Sequence, residues 1–148
     1  MIDTVSPEKP YLAAAFICER LLTEKDGVMS AIRIVDTYFL DFKSPLPEGS
    51  ERGIHLMGLV SFKGGPGDHK VRLSGINPKG KRALESPEFQ LTLKGGEYGS
   101  NLIMDLGLPT PEEGLYWIDV YLDESLVTRI PLRIRSKEPQ DGQKQGNY

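Results

Sequence analysis

The chain has one cysteine, Cys18, two histidines, His55 and His69, and one tryptophan, Trp117. A lone cysteine closes no intramolecular disulfide, so packing must hold the fold, and this usage fits a reducing compartment. One cysteine and two histidines, without H-E-x-x-H, are a poor ligand set for zinc. No segment approaches the roughly eighteen apolar residues that a membrane helix needs. The run YLAAAFIC (11–18) follows an acidic start and leads straight into Glu19 and Arg20, which argues against a signal peptide. Neither sign of charge dominates: 18 Lys+Arg stand against 21 Asp+Glu, a net charge of -3. That balance offers no footprint for non-specific nucleic-acid binding. The expectation is a cytoplasmic protein of one domain, since 148 residues suffice to bury a sizeable core.

Helical periodicity is scarce as well, and the dominant period is two. FQLTL (89–93), KVRLS (70–74), YWIDVYL (116–122) and LVTRIPLRI (126–134) alternate apolar with polar residues, while AIRIVDTYFL (31–40) and HLMGLVSF (55–62) are more uniformly apolar. Sixteen glycines and eleven prolines punctuate these runs as turn signals. The pattern predicts an all-β, antiparallel two-sheet sandwich of about eight strands with little helix. Residues 1–10 are expected to form an arm, 11–135 the sandwich and 136–148 a flexible polar tail. ERLLTEKDG (19–27) has room for one or two helical turns, and a hairpin of residues 12–22 and 28–40 closed by Asp26-Gly27 explains it as well. Strands 54–62 and 69–76 read as a hairpin across the 63–68 loop, and 106–113 as room for one 3₁₀ turn.

In the last hairpin a three-residue loop, Asp123-Glu124-Ser125, sets Leu122 against Leu126. Val120, Ile118 and Tyr116 then face Thr128, Ile130 and Leu132, and Asp119 faces Arg129 on the other side. Such a cross-strand charge pair is worth roughly 0.2–1 kcal/mol. Pro131 lacks an N–H, so its strand lies at an edge or carries a bulge there. Tyr116, after Gly114-Leu115, has the setting of a tyrosine corner, whose phenol bonds backbone across a loop.

GINPKGKRA (75–83) holds G-x-x-x-x-G-K, most of a phosphate-binding P-loop. Position 82 is Arg82, not the Ser or Thr that binds magnesium, and Pro87 soon follows, leaving no room for the required helix. Asn77-Pro78-Lys79-Gly80 instead has the residues of a type I turn. The Lys63–Asp68 glycine-rich loop likewise precedes a strand. Within the expected hairpin, His55 and His69 lie about 24 Å apart at roughly 3.4 Å per residue, too far to share a metal. No G-x-S-x-G elbow is present, and Cys18 sits in an apolar strand where thiols are inert. The carboxylates Glu112, Glu113, Asp119, Asp123 and Glu124 fall mostly at turns, as solvated loop charges do.

One constellation stands out. Trp117, Asp119 and Tyr121 share the outward face of one strand, beside Arg129, Arg133 and Arg135 on its neighbour. Aromatics among hydrogen-bonding groups on a sheet can meet a protein, a sugar or a base. The other reading is that another strand, a loop or a subunit covers Trp117 and Tyr121, with arginines stacking on them.

Three segments, AAAFICERLLTEKDGVMSAIRIVDTY (13–38), DHKVRLSGINPKGKR (68–82) and EEGLYWIDVYLDESLVTRIPLRI (112–134), together resemble an uncharacterised family of small bacterial β-sandwich proteins. The resemblance implies an immunoglobulin-like sandwich and carries no activity or functional residues. The expected function is a non-catalytic binding or assembly module, meeting a protein partner or its own copy through a sheet face or edge, with no cofactor and no membrane. The alternative is a sandwich that binds, or binds and hydrolyses, a carbohydrate or other small ligand; nucleic acid ranks third.

Overall fold

A computed structural model describes residues 8–137. Ten strands fill that span: β1 Tyr11–Thr23, β2 Met29–Ile34, β3 Thr37–Leu40, β4 Gly53–Lys63, β5 Gly67–Ile76, β6 Arg82–Glu85, β7 Phe89–Leu93, β8 Gly99–Pro109, β9 Gly114–Leu122 and β10 Ser125–Ser136. They form two sheets, a four-stranded one in the order β2-β1-β4-β8 and a six-stranded one in the order β3-β10-β9-β5-β6, with β7 also on β5. The described residues contain no helix.

The two-residue period puts alternate side chains between the sheets. Ile17, Leu56, Val60, Phe62 and Leu108 come from the four-stranded sheet. Leu73, Tyr116, Ile118, Val120, Leu132 and Ile134 meet them from the six-stranded one, all fully buried. Cys18 is buried too, and that burial raises its thiol pKa, so the thiol stays protonated. Met1 to Pro7 of the expected arm, and the expected tail from Glu138 onward, lie outside the described residues; Ser136 belongs to β10.

The β9–β10 register places Asp119 on Arg129, Val120 on Thr128, Ile118 on Ile130 and Tyr116 on Leu132, as the alternation predicts. The loop is shorter than expected. Leu122 pairs with Ser125, so Asp123 and Glu124 alone make the turn, both left-handed at φ 49° and 72°. That is the hairpin geometry matched to strand twist. A register shift between Leu126 and Thr128 restores the pairing beyond it. Pro131 faces Trp117 on β9, and β3 joins the other side of β10 only from Arg133, so Pro131 stands where β10 is still an edge.

Three other expectations are corrected. β4 and β5 do not pair: they lie in different sheets, and the 63–67 segment is a crossover. Gly64 and Gly65 turn the chain there with φ 73° and 51°, packed so tightly on Lys9 and Pro10 that a Cβ at either would overlap backbone. The sheets are not purely antiparallel, because β3 leaves its hairpin neighbours and runs parallel to β10. Residues 106–109 are the end of β8, not a 3₁₀ turn. The 77–80 segment is the expected turn: Gly80 N donates to Asn77 O (2.9 Å), and Asn77 Oδ1 accepts from Lys79 N (3.0 Å) and Lys81 N (2.9 Å).

The β9–β10 turn is tied to the crossover by His69. Its Nδ1 lies 2.7 Å from Asp123 Oδ2, and its Nε2 faces the Gly65 carbonyl. Acceptors on both sides favour the imidazolium, the one form of the ring that can donate to both. The bond to Asp123 raises its pKa, burial opposes this, and the Gly65 carbonyl and nearby carboxylates add to the rise. Burial alone would raise Asp123, but bonds from His69 and the Lys70 amide outweigh it and hold the carboxyl below its usual value. A raised histidine pKa stabilises the fold fully below the unfolded value near 6.5 and loses that contribution as pH rises through the folded value. The depressed Asp123 contributes above about pH 4 and loses its share as pH falls through its own folded value. The melting temperature should therefore fall more steeply on the alkaline side for the wild type than for His69→Gln. Parallel curves from pH 5 to 9 would refute the latch.

Candidate functional site

The outer face of the six-stranded sheet is built by the odd residues of β9 and β10 and the even residues of β5. Trp117, Asp119 and Tyr121 point outward because Tyr116, Ile118, Val120 and Leu122 fill the core. Arg129, Pro131, Arg133 and Arg135 do the same on β10, between buried Ile130, Leu132 and Ile134. All six residues singled out in the sequence thus share one face, although they are not equally accessible.

Asp119 is only 6% exposed, lying between Ser74 of β5 and Arg129 of β10 in register. Arg129 Nε donates to Asp119 Oδ1 at 2.7 Å, and its guanidinium carbon sits 4.6 Å from the centroid of the Trp117 ring. Holding the ion pair therefore also holds the arginine on the indole face, where the ring quadrupole attracts it. Tyr121 has the same cover from a residue that the sequence reading did not single out: Arg72, its cross-strand partner on β5, stacks at 4.0 Å. Arg72 is fixed in turn by Glu124 (3.3 Å) and Glu85 (3.9 Å). Arginines of the same sheet thus lie over both rings. Ser74 Oγ is buried without a hydrogen-bond partner among the described residues, so the floor of this face is polar.

Arg133 and Arg135 are exposed and extend the row toward β3. Their partners across the parallel pairing are Thr37 and Phe39, and Phe39 is 59% exposed beside Arg135. Phe39 is thus a second residue of the face with no local signal in the sequence, since the pairing that places it there is long-range.

The remaining candidates have structural partners. Tyr116 is fully buried and its hydroxyl donates to the Glu112 carbonyl at 2.7 Å, the tyrosine corner. Glu113 accepts the Ser136 amide (2.7 Å). His55 Nδ1 lies 3.3 Å from Asp105 on the outside of the four-stranded sheet, in a different sheet from His69. No group of three His, Cys, Asp or Glu among the described residues is placed to hold a metal. A cleft of about 440 Å³ opens where β4 and β8 pair, lined by Arg52, Ile54, His55, Leu108 and, as its one carboxylate, Glu51. Among the described residues no helix is long and apolar enough to cross a membrane.

Fold and face together define a two-sheet β-sandwich with an arginine-capped aromatic surface. Residues 14–135 match a family of unknown function, DUF6941, and the chain belongs to that family. Among solved structures it is similar to an immunoglobulin-like protein from Pseudomonas aeruginosa, at 13% identity and a TM-score of 0.41, covering 88% of this chain and 100% of the other. No curated protein matches.

Proposed function

We propose that this chain is a non-catalytic binding module that presents the outer face of its six-stranded sheet to an acidic protein surface. The observation that carries the reading is the row Arg133, Arg135 and Phe39: two exposed arginines and an exposed aromatic ring at one end of a sheet. Arginine and aromatic side chains are enriched where protein interfaces concentrate their energy. Next to that row, Arg129 and Arg72 already rest on Trp117 and Tyr121, so their guanidinium groups are ordered before a partner arrives.

Trp117 is the only tryptophan, so its emission reports on this face alone. An acidic peptide rich in glutamate and tyrosine should shift that emission on titration, with an affinity that falls as salt rises. Arg133→Glu with Arg135→Glu should weaken the binding by about tenfold or more while leaving far-ultraviolet circular dichroism unchanged. Unchanged Trp117 emission at saturating peptide, with no binding by calorimetry, would reject the reading.

A further inference from the structure

The outer face of the four-stranded sheet differs in character from the surface just described. Register aligns Ile34, Cys18, Met57 and Asp105 in one row across β2, β1, β4 and β8. The next row is Phe16, Leu59 and Ile103, and on the other side Ile32 sits beside Arg20. Apart from Cys18, which is itself fully buried, these side chains lie on the face opposite Ile17, Leu56, Val60 and Met104, which fill the core. Ile34 is 66% exposed and Ile103 49%, while Phe16, Met57 and Leu59 are half-buried. An apolar stripe therefore runs across the sheet from one edge strand to the other. Folded monomers seldom leave so continuous an apolar surface in water.

We infer that this face is a self-association surface on which a second copy of the chain packs sheet to sheet about a two-fold axis. The inference is independent of the partner-binding face, which lies on the opposite side of the sandwich. Charge selects the occupant. The stripe is flanked on one rim by Arg20 and on the other by Asp105, which has His55 3.3 Å away beside it. On the grid that the register defines, an axis in the interface running diagonally from between His55 and Met57 toward Phe16 exchanges these two positions. The same axis brings Ile34 of each copy over Leu59 of the other. A copy of the chain thus answers both the apolar stripe and its two charges, whereas a uniformly acidic or basic partner would leave one of them opposed by like charge.

Size sets the strength. Four strands about 4.8 Å apart, over about seven residues rising 3.4 Å each, give a face of roughly 450 Å². A standard stable interface takes about 800 Å² from each partner. The dimer should accordingly be concentration-dependent, with half-dissociation in the micromolar range or above.

Sedimentation equilibrium of the full chain, from low micromolar to millimolar, tests this directly. The mass should rise from 16.5 kDa toward twice that value. Ile34→Lys and Ile103→Lys should each weaken association by about tenfold or more, as loss of a central apolar contact does. Both residues are exposed on edge strands, so the core is untouched, and circular dichroism checks each fold; the two lie on opposite edges, so either alone keeps the test alive. Arg20→Asp and Asp105→Arg should each weaken the dimer and, combined, restore it. Monomer mass throughout, or a dimer indifferent to both lysine substitutions, would overturn the proposal. Arg133→Glu with Arg135→Glu should leave the mass unchanged, so failure here is distinguishable from failure of the partner face.

Discussion

Tyr116→Ala should cost about 3–5 kcal/mol, the usual range for emptying a buried aromatic site. For a domain of this size that lowers the melting midpoint by on the order of 10 °C. The ring is fully buried, and its hydroxyl ties β9 to the Glu112 carbonyl across the loop that carries the chain from one sheet to the other. Two contributions can be separated. Tyr116→Phe keeps the ring and removes only the hydrogen bond, for about 1 kcal/mol. Urea unfolding of the three proteins reads both. If phenylalanine costs as much as alanine, the corner and not the ring dominates; if it costs nothing, the corner is ornamental and the assignment of Tyr116 to loop bracing is wrong.

Gly58→Val is expected to be comparably severe for a different reason. Gly58 lies in the middle of β4, opposite Ile17 of β1 and Met104 of β8, and faces the core. A Cβ there would lie 2.6 Å from the Phe16 carbonyl oxygen and 2.3 Å from Met104 Cε. The methionine can swing aside, but the carbonyl is backbone in a paired strand and cannot retreat without opening the β1–β4 ladder. Overpacking of this kind costs about 1–3 kcal/mol, and more where backbone must move. Gly58→Ala should show the lower part of that range and Gly58→Val the upper. Equal stability of all three proteins by thermal melting would mean that β1 has slack the packing does not show.

Local alternation carried the β9–β10 pairing because both partners lie on either side of one turn. Even there the loop is one residue shorter than the alternation predicts. A two-residue hairpin turn favours Asn-Gly or Asp-Gly, and Asp123-Glu124 does not match that signal. The left-handed backbone at both positions is held by tertiary contacts, His69 and the Lys70 amide on Asp123 and Arg72 on Glu124. The β4–β5 error has the same root: two strands separated by a glycine-rich loop look alike whether they pair or part into different sheets. β8 was legible in principle, since Leu102, Met104, Leu106 and Leu108 alternate, but Gly107 and Pro109 obscured the run. On the candidate face, Trp117, Asp119, Tyr121 and the three arginines could be read from one hairpin. Arg72 and Phe39 could not, because β5 and β3 arrive from distant parts of the chain.

The position of β3 also bears on how the molecule is made. Its hydrogen-bonded partner is β10, held through bonds from Arg133 N to Asp36 O (2.9 Å) and from Lys137 N to Leu40 O (2.7 Å). During synthesis β3 leaves the ribosome early and β10 after every other strand. The β1–β2 hairpin can form as soon as it emerges, yet β3, immediately behind it, has nothing to pair with until the rest of the sandwich has been translated. Such late, long-range closure slows folding and leaves apolar strands waiting in water. Tyr38, Phe39 and Leu40 are the residues kept waiting, so the stretch from Thr37 to Leu40 is where a nascent chain of this protein is most open to a chaperone.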